Sequence, residues 1–367
     1  MEIRRPSPPG FRRLRMWLHL RKLADDVERW TQTHFLLALT TMIVVALANE
    51  LMLFGTDLSR WDPLYITSVL AFTVGIRLAL ELAPRIRLTL VRLSRRGALS
   101  VTREEVAGFT RDLETRAQAW AERAGLLIAL LILMAFVVAF GPRIRTEIWF
   151  TIVSMAAGYL AGRAVGRAVT YGTLGSLLQR RGLAPIVQPD HLDGAGGLKP
   201  VGEFYFFQAM VLAIPALFLA TWWAIIPFLG RYEYWRRPYL ALLAVALTVE
   251  ILAFIAPMYS FHQTMKQQKV EQLAEADELS REVSQLQSQL VKAGTDKERE
   301  ALKERLSLMT ERYAAIERMP SWPVDRRTRR RFTVNNLVLF LPLISKALSL
   351  TSPWKDIADE LSRLVSQ

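Results

Sequence analysis

Apolar residues fall into long blocks along this chain, and the charged residues collect between them. Blocks near 20 residues match the hydrocarbon thickness of a bilayer. Six spans are expected, at about 34–54, 63–83, 124–141, 147–173, 204–229 and 239–261. A seventh apolar stretch, 332–350, contains Asn335, Asn336, Pro342 and Lys346, so it spans, re-enters or lies at the interface. The expected class is all-α: a polytopic transmembrane helix bundle of six or seven spans with a cytoplasmic helical hairpin. Ala46-Leu47-Ala48 resembles a signal-peptide ending, but about 33 residues precede the apolar run, which continues through Phe54, so a retained first helix is expected.

Between the blocks the period changes. Residues 102–123 form an amphipathic pattern leading into the third span, opened by the T-x-x-E capping box of Thr102 and Glu105. Residues 262–319 predict a helical hairpin. Leu273, Leu279, Val283, Leu286 and Leu290 form the seam of one arm, and Leu302, Leu306, Met309, Tyr313 and Ile316 that of the other. Gly294 ends the first arm, and Thr295 with Glu298 caps the second. Each arm would be about 36 Å long. The hairpin packs on itself, or offers a coiled coil to another subunit or a partner. Pro320 and Pro323 end it, and Pro257 ends the sixth span; Pro215 and Pro227 punctuate the fifth.

The 367 residues are 51% hydrophobic yet carry a net charge of +13. Lysine and arginine favour cytoplasmic loops. The N-terminal segment is basic, residues 84–123 hold nine arginines, and 262–331 hold fifteen Lys/Arg. The N-terminus and the long loops are therefore expected in the cytoplasm, with three tight hairpins outside. The third of these, with Arg231, Arg236 and Arg237, fits that rule least well. The expected order is a basic segment 1–33, membrane hairpin 34–83, cytoplasmic helices 84–123, membrane hairpin 124–173, a glycine-rich loop 174–203, membrane hairpin 204–261, the coiled-coil hairpin 262–319, a basic return 320–350 and a tail 351–367, itself a short amphipathic helix. In the return, Trp322 suits an interface, and Arg326, Arg327, Arg329, Arg330 and Arg331 face lipid headgroups. No reader motif or aromatic interleaving accompanies this charge, so nucleic acid is not an expected partner. The absence of cysteine excludes disulfides, Cys-ligated metal and thiol nucleophiles.

Charges in hydrocarbon need partners or water. Glu250 lies near midplane of the sixth span; Asn49 and Glu50 lie toward the outer end of the first, where Glu50 reaches headgroups. Arg77 and Glu81, four apart, form a local pair or an interfacial anchor. In the fourth span Gly158, Gly162 and Gly166 repeat every four residues, the spacing of close helix packing. Arg163 and Arg167 follow two of them, and either pair with a carboxylate such as Glu250 or line a vestibule that favours anions.

The loop "QPDHLDGAGGLKPVGEF" carries Asp190, His191 and Asp193 followed by glycines. These residues are a weak metal site or a pH-sensitive latch; the simpler reading is a glycine turn that caps the next helix. No phosphate-loop spacing is present, and no metal or cofactor is expected. "PDHLDGAGGLKPVG", "APMYSFHQTMKQQK" and "MPSWPVDRRTRRRF" together resemble a pattern in a loose group of uncharacterised bacterial multi-pass membrane proteins. The resemblance covers about 188–345 and brings no activity with it. It implies that the glycine loop, the segment before the hairpin and the Trp-Pro return form one module, and it favours a bacterial inner membrane. The four histidines are scattered and no catalytic constellation is visible, so an enzyme is not expected. The expected function is an oligomeric ion channel or pore gated by the hairpin. The alternatives are a membrane-anchored assembly or signalling scaffold that uses 262–319 to bind a cytoplasmic partner, and a secondary transporter.

Overall fold

The computed structural model describes residues 9–99, 102–140, 148–189, 191–292 and 295–347. Every regular element among them is helical. In chain order these are α1 (Pro9–Thr33), α2 (Phe35–Phe54), α3 (Pro63–Leu80), α4 (Leu82–Arg95), α5 (Arg103–Phe140), α6 (Ile148–Gly172), α7 (Leu174–Arg180), α8 (Lys199–Leu212), α9 (Ile214–Ile225), α10 (Arg236–Lys292), α11 (Asp296–Glu317) and α12 (Arg326–Ala347). Four stretches, in α2, across α3 and α4, in α5 and in α10, are long and apolar enough to cross a membrane. The pair α8 and α9, bent by 42°, makes a fifth. The bend falls where Pro215, in the first turn of α9, cannot donate to the preceding turn. Over their described residues α6 and α12 do not meet that test.

The expected end of the sixth span at Pro257 is corrected. α10 continues through Pro257 for 57 residues, from Arg236 to Lys292. Proline removes one backbone donor, but packing from neighbouring helices holds such a helix together. Here Ser260 Oγ donates to the Pro257 carbonyl at 2.8 Å, and Gly172 of α6 comes close to the proline ring.

The largest core is at the hairpin end of the bundle. Leu82, Ile86, Leu90 and Leu93 of α4 meet Phe109 and Leu113 of α5, Leu174 and Leu178 of α7, Phe204 and Tyr205 of α8, and Phe261 and Met265 of α10. All are buried. Farther along α5 the leucines turn outward: Leu127, Leu130 and Leu131 are more than half exposed. Smaller buried clusters form around Leu243 and Leu247 and around Trp222 and Ile226, while the outer face of α5 stays open.

α5 and α6 lie backbone against backbone. A Cβ on Gly162 would come within 2.6 Å of the Ala124 carbonyl, and one on Gly166 within 2.4 Å of the Trp120 carbonyl. Gly158 instead faces the end of the Ile132 side chain. α12 runs antiparallel to α10. Phe332 stacks on Phe254 at 4.0 Å, Asn336 reaches Glu250, and Leu339 joins Leu243 and Leu247. α11 folds back along the distal part of α10, with Leu286 and Ile316 buried. Thr102 and Glu105 form the reciprocal capping box at the start of α5: the Thr102 amide donates to Glu105 at 2.8 Å, and the Glu105 amide to the Thr102 hydroxyl at 3.3 Å. Gly294 and the tail 351–367 lie outside the described residues.

Gly166→Ala should lower thermal stability in detergent by about 1–3 kcal/mol, because two backbones must separate. Gly108→Ala, on an open face of α5, should leave it unchanged or raise it by about 0.5–1 kcal/mol. Equal effects in parallel melting curves would contradict the close approach.

Candidate functional site

Three polar constellations hold most of the sequence-predicted residues. The first joins the three stretches that carried the resemblance. The chain leaves α7 and runs to the glycine loop, where the Ile186 amide donates to the Ala98 carbonyl at 2.9 Å and Gln188 Nε2 to the Arg96 carbonyl at 3.0 Å. Asp193 is the organiser. Its Oδ1 accepts from the amides of Ala195 and Gly197 at 2.9 and 3.0 Å. Its Oδ2 receives Arg96 Nη1 at 2.9 Å. Gly194, Gly196 and Gly197 all have positive φ, which lets the loop curl round this carboxylate. His191 Nδ1 lies 3.2 Å from the Asp193 amide, in position to accept from it. Asp190 lies outside the described residues. No group of three or more metal-ligating side chains occurs among those described. The oxygens of Asp193 are spent on holding the loop.

α8 then starts beneath the Trp-Pro return. A Cβ on Gly202 would lie 2.3 Å from the Pro323 carbonyl, so glycine is required there. Lys199 Nζ pairs with Asp325 at 3.2 Å. From α10, His262 Nδ1 meets the Ser321 carbonyl at 2.6 Å, and its ring stacks on Trp322 at 4.3 Å. Lys269 donates to the Glu317 and Met319 carbonyls at 3.0 and 2.9 Å, satisfying the end of α11. Gln268 bridges to the Pro185 carbonyl and the Val187 amide. Loop, hairpin root and return therefore interlock. Trp322, 38% exposed, keeps an open edge, and Arg326, Arg327, Arg329, Arg330 and Arg331 are exposed on the first turns of α12.

The second constellation lies on the longest helix. Glu250 is 1% exposed. Its Oε1 accepts from Asn336 Nδ2 at 3.3 Å. Its Oε2 and the Asn336 Oδ1 are buried with no hydrogen-bond partner among the described residues.

The third holds Arg163 and Arg167. They pair with carboxylates, as one of the two expectations had it, but the partners are Asp25 and Glu28 and not Glu250. Arg163, fully buried, donates Nε to Glu28 at 2.7 Å and pairs with Asp25. Arg167 also pairs with Glu28. Gln118 and Glu122 of α5 and Arg21 of α1 complete the belt: Arg21 reaches Glu122 at 2.8 Å and Gln118 reaches Asp25 at 3.2 Å. The glycine stripe explains the geometry. It brings α5 so close to α6 that the arginines must turn to the side occupied by α1. The only sequence signal for this is the presence of Asp25 and Glu28 inside a mainly basic segment.

Glu50 is corrected in the same way. It does not reach headgroups; it is 2% exposed and accepts from the Asp62 amide at 2.7 Å, satisfying a free donor where α3 begins. Asn49 beside it is half-buried. Asp62 caps α3 and receives the Tyr232 hydroxyl, whose pKa is pushed up by burial and by that bond. Arg231 donates to the Trp61 carbonyl at 2.7 Å, so the third short hairpin carries its misfit charge to dock on the first. Arg77 pairs with Glu81 as expected from their spacing.

Arg163→Gln should cost about 3–5 kcal/mol in unfolding experiments, since it strands buried carboxylates, and Glu28→Gln added to it should recover part of the loss. Burial alone would raise the Asp325 pKa, but the two Thr328 hydrogen bonds and Lys199 outweigh it and hold the carboxyl below its ordinary value. Its contribution is complete above the unfolded aspartate value of about 3.9 and is lost as pH falls through the lower folded value. Asp325→Asn should therefore flatten the pH dependence of stability only on that acid limb. No family model, curated protein or solved structure matches the chain, so these constellations stand on their own geometry.

Proposed function

We propose that this is a multi-pass inner-membrane protein whose hairpin, 262–319, is a rigid cytoplasmic docking arm for assembly or signalling. The observation that carries this is the unbroken α10. It is about 86 Å long at 1.5 Å per residue. A bilayer core takes about 30 Å of that, and the 31 residues beyond Phe261 reach about 46 Å further. His262, Lys269 and the Trp-Pro return clamp this arm at its root. A partner bound at its tip therefore pulls on a transmembrane helix without an intervening joint. The arm keeps unpartnered apolar side chains for contact: Val270, Val291 and Leu308 are each at least 60% exposed.

The location of the cores supports the membrane placement. Burial of leucine is driven by water, and the sealed core surrounds the hairpin root. The outward leucines of α5 belong in lipid. The same frame favours seven spans. α6 adheres to α5 along its length and carries its two arginines already neutralised. α12 keeps register with α10 from Phe254 to Leu243, so it crosses with it and takes the C-terminus to the outer face. Basic residues at the start of α12, along α4 and in the first half of α5 support a cytoplasmic hairpin.

A second reading, proton or cation conduction, is favoured by one observation: the unpartnered oxygens of Glu250 and Asn336 within the span. The arginines no longer speak for it, being paired inside the chain.

Deleting 270–316 and closing the gap with a short glycine linker should leave insertion intact and abolish recovery of the protein's complexes by mild-detergent affinity capture. An unchanged set of partners would refute the docking arm. A reporter active only outside the cytoplasm, fused after Gln367, should be active; silence would remove α12 as a span. In liposomes, Glu250→Gln should change ion flux only if the second reading holds.

A further inference from the structure

α6 ends at Gly172, and the chain turns at Thr173 into α7, which opens a cleft against α5. The cleft measures about 320 Å³. Arg116 and Trp120 of α5 form one wall, and Val169, Thr173, Ser176 and Arg180 are among the residues opposite. Two arginines thus face one cavity with no carboxylate in its lining. Neither makes an ion pair or hydrogen bond among the described residues. The nearest acids in sequence, Asp112 and Glu114, are already held by Arg181 and Arg87. The cleft has cationic groups, hydroxyls and a large apolar share, and nothing within it balances the charge.

Its position narrows the ligand. Arg116, Trp120, Leu127 and Leu131 lie on one stripe of α5, because steps of four and seven residues return to the same helix face. Leu127 is 57% exposed and Leu131 55%, the lipid-facing part of that helix. Trp120, 50% exposed, marks the end of this apolar stripe, and Arg123 lies over its ring at 5.5 Å. Val169, 56% exposed, continues the apolar surface on the α6 side. The cleft therefore lies at headgroup depth on the hairpin side, where tryptophan and arginine favour the interface.

We propose that this cleft binds the headgroup of an anionic phospholipid from the inner leaflet. Arg116 and Arg180 hold the phosphate from two sides, and Ser176 offers its hydroxyl to an ester oxygen, while the Thr173 hydroxyl stays on the Thr170 carbonyl. The acyl chains run up past Trp120 and Val169 onto the leucines. A soluble phosphate would leave the apolar half of the cleft unused, so lipid is the source the lining favours. The proposal rests on the membrane placement above and not on the docking arm.

The test uses the full chain, delipidated in detergent and given phosphatidylglycerol or phosphatidylcholine, with bound lipid counted by native mass spectrometry. Phosphatidylglycerol should be retained at least tenfold better, and Arg116→Gln with Arg180→Gln should abolish the difference. Arg312→Gln with Arg318→Gln, exposed on the hairpin arm, should leave it intact. Both cleft arginines are exposed, so melting temperatures without lipid should match the wild type; a shared shift would show unfolding, and single variants would then replace the double one. Equal retention by the cleft variant and the wild type overturns the site. Displacement of the lipid by millimolar inorganic phosphate overturns lipid as the source. If the wild type fails to stay with nanodiscs of phosphatidylcholine alone, the membrane placement falls and the cleft with it.

Discussion

A polar group in hydrocarbon has no water to turn to, so the chain must supply its partner. A charge left unmatched there costs about 2.5–3.5 kcal/mol even on the mildest scale. Burial inside the protein imposes the same need, and Arg163, fully buried, shows how far the fold goes to meet it. Its partners Asp25 and Glu28 come from a helix more than 130 residues away in sequence. The approach of α5 to α6 blocks one side of the arginine, and α1 closes the other. α1 is therefore more than a basic leader. It supplies the negative charge that allows α6 to stay in the bundle.

The same requirement organises the opposite end. The first amides of α3 would be unsatisfied, and Asp62 caps two of them while Glu50 takes the Asp62 amide. Tyr232 and Arg231 add donors from the third short hairpin. Two connections that sequence order keeps far apart become one polar plug. At the hairpin root Asp193, His262 and Lys269 do the equivalent work for a glycine loop, a return strand of prolines and the end of α11. Each plug uses charged side chains mainly on backbone groups, which suits holding elements together more than moving a substrate.

Periodicity made the local features legible. The capping box at Thr102, the seam of the hairpin, the four-residue glycine repeat and the i,i+4 pair of Arg77 with Glu81 all follow from spacing within one or two helices. The contact among residues 189–202, 256–269 and 319–332 was expected only from the resemblance; the structure shows the hydrogen bonds, ion pair and ring contact that join them. Partnerships between distant segments were not legible. Nothing near Arg163 points to Glu28, and nothing near Glu50 distinguishes a headgroup contact from a helix cap. Pro257 misled for a different reason: a proline inside a packed bundle can sit within a continuous helix, and here Gly172 of α6 packs against its ring.

That last point bears on how the two ends of α10 communicate. Glu250 lies seven residues before Pro257, and His262 lies five after it. A proline that broke the helix would separate the buried Glu250–Asn336 contact from the clamped hairpin root. Because the helix stays whole, any rotation of the arm turns the face that presents Glu250 to α12. Asn336 is joined to the same root through the start of α12, where Lys199 holds Asp325. The buried pair and the hairpin are thus linked by two antiparallel helices, each held at the root. A strain applied to the arm shifts both together or neither, so the pair is protected from motions that move one helix alone. Binding at the arm can therefore reach the buried pair only through the clamped root, where His262 and Lys269 hold α10 and Asp325 holds the start of α12.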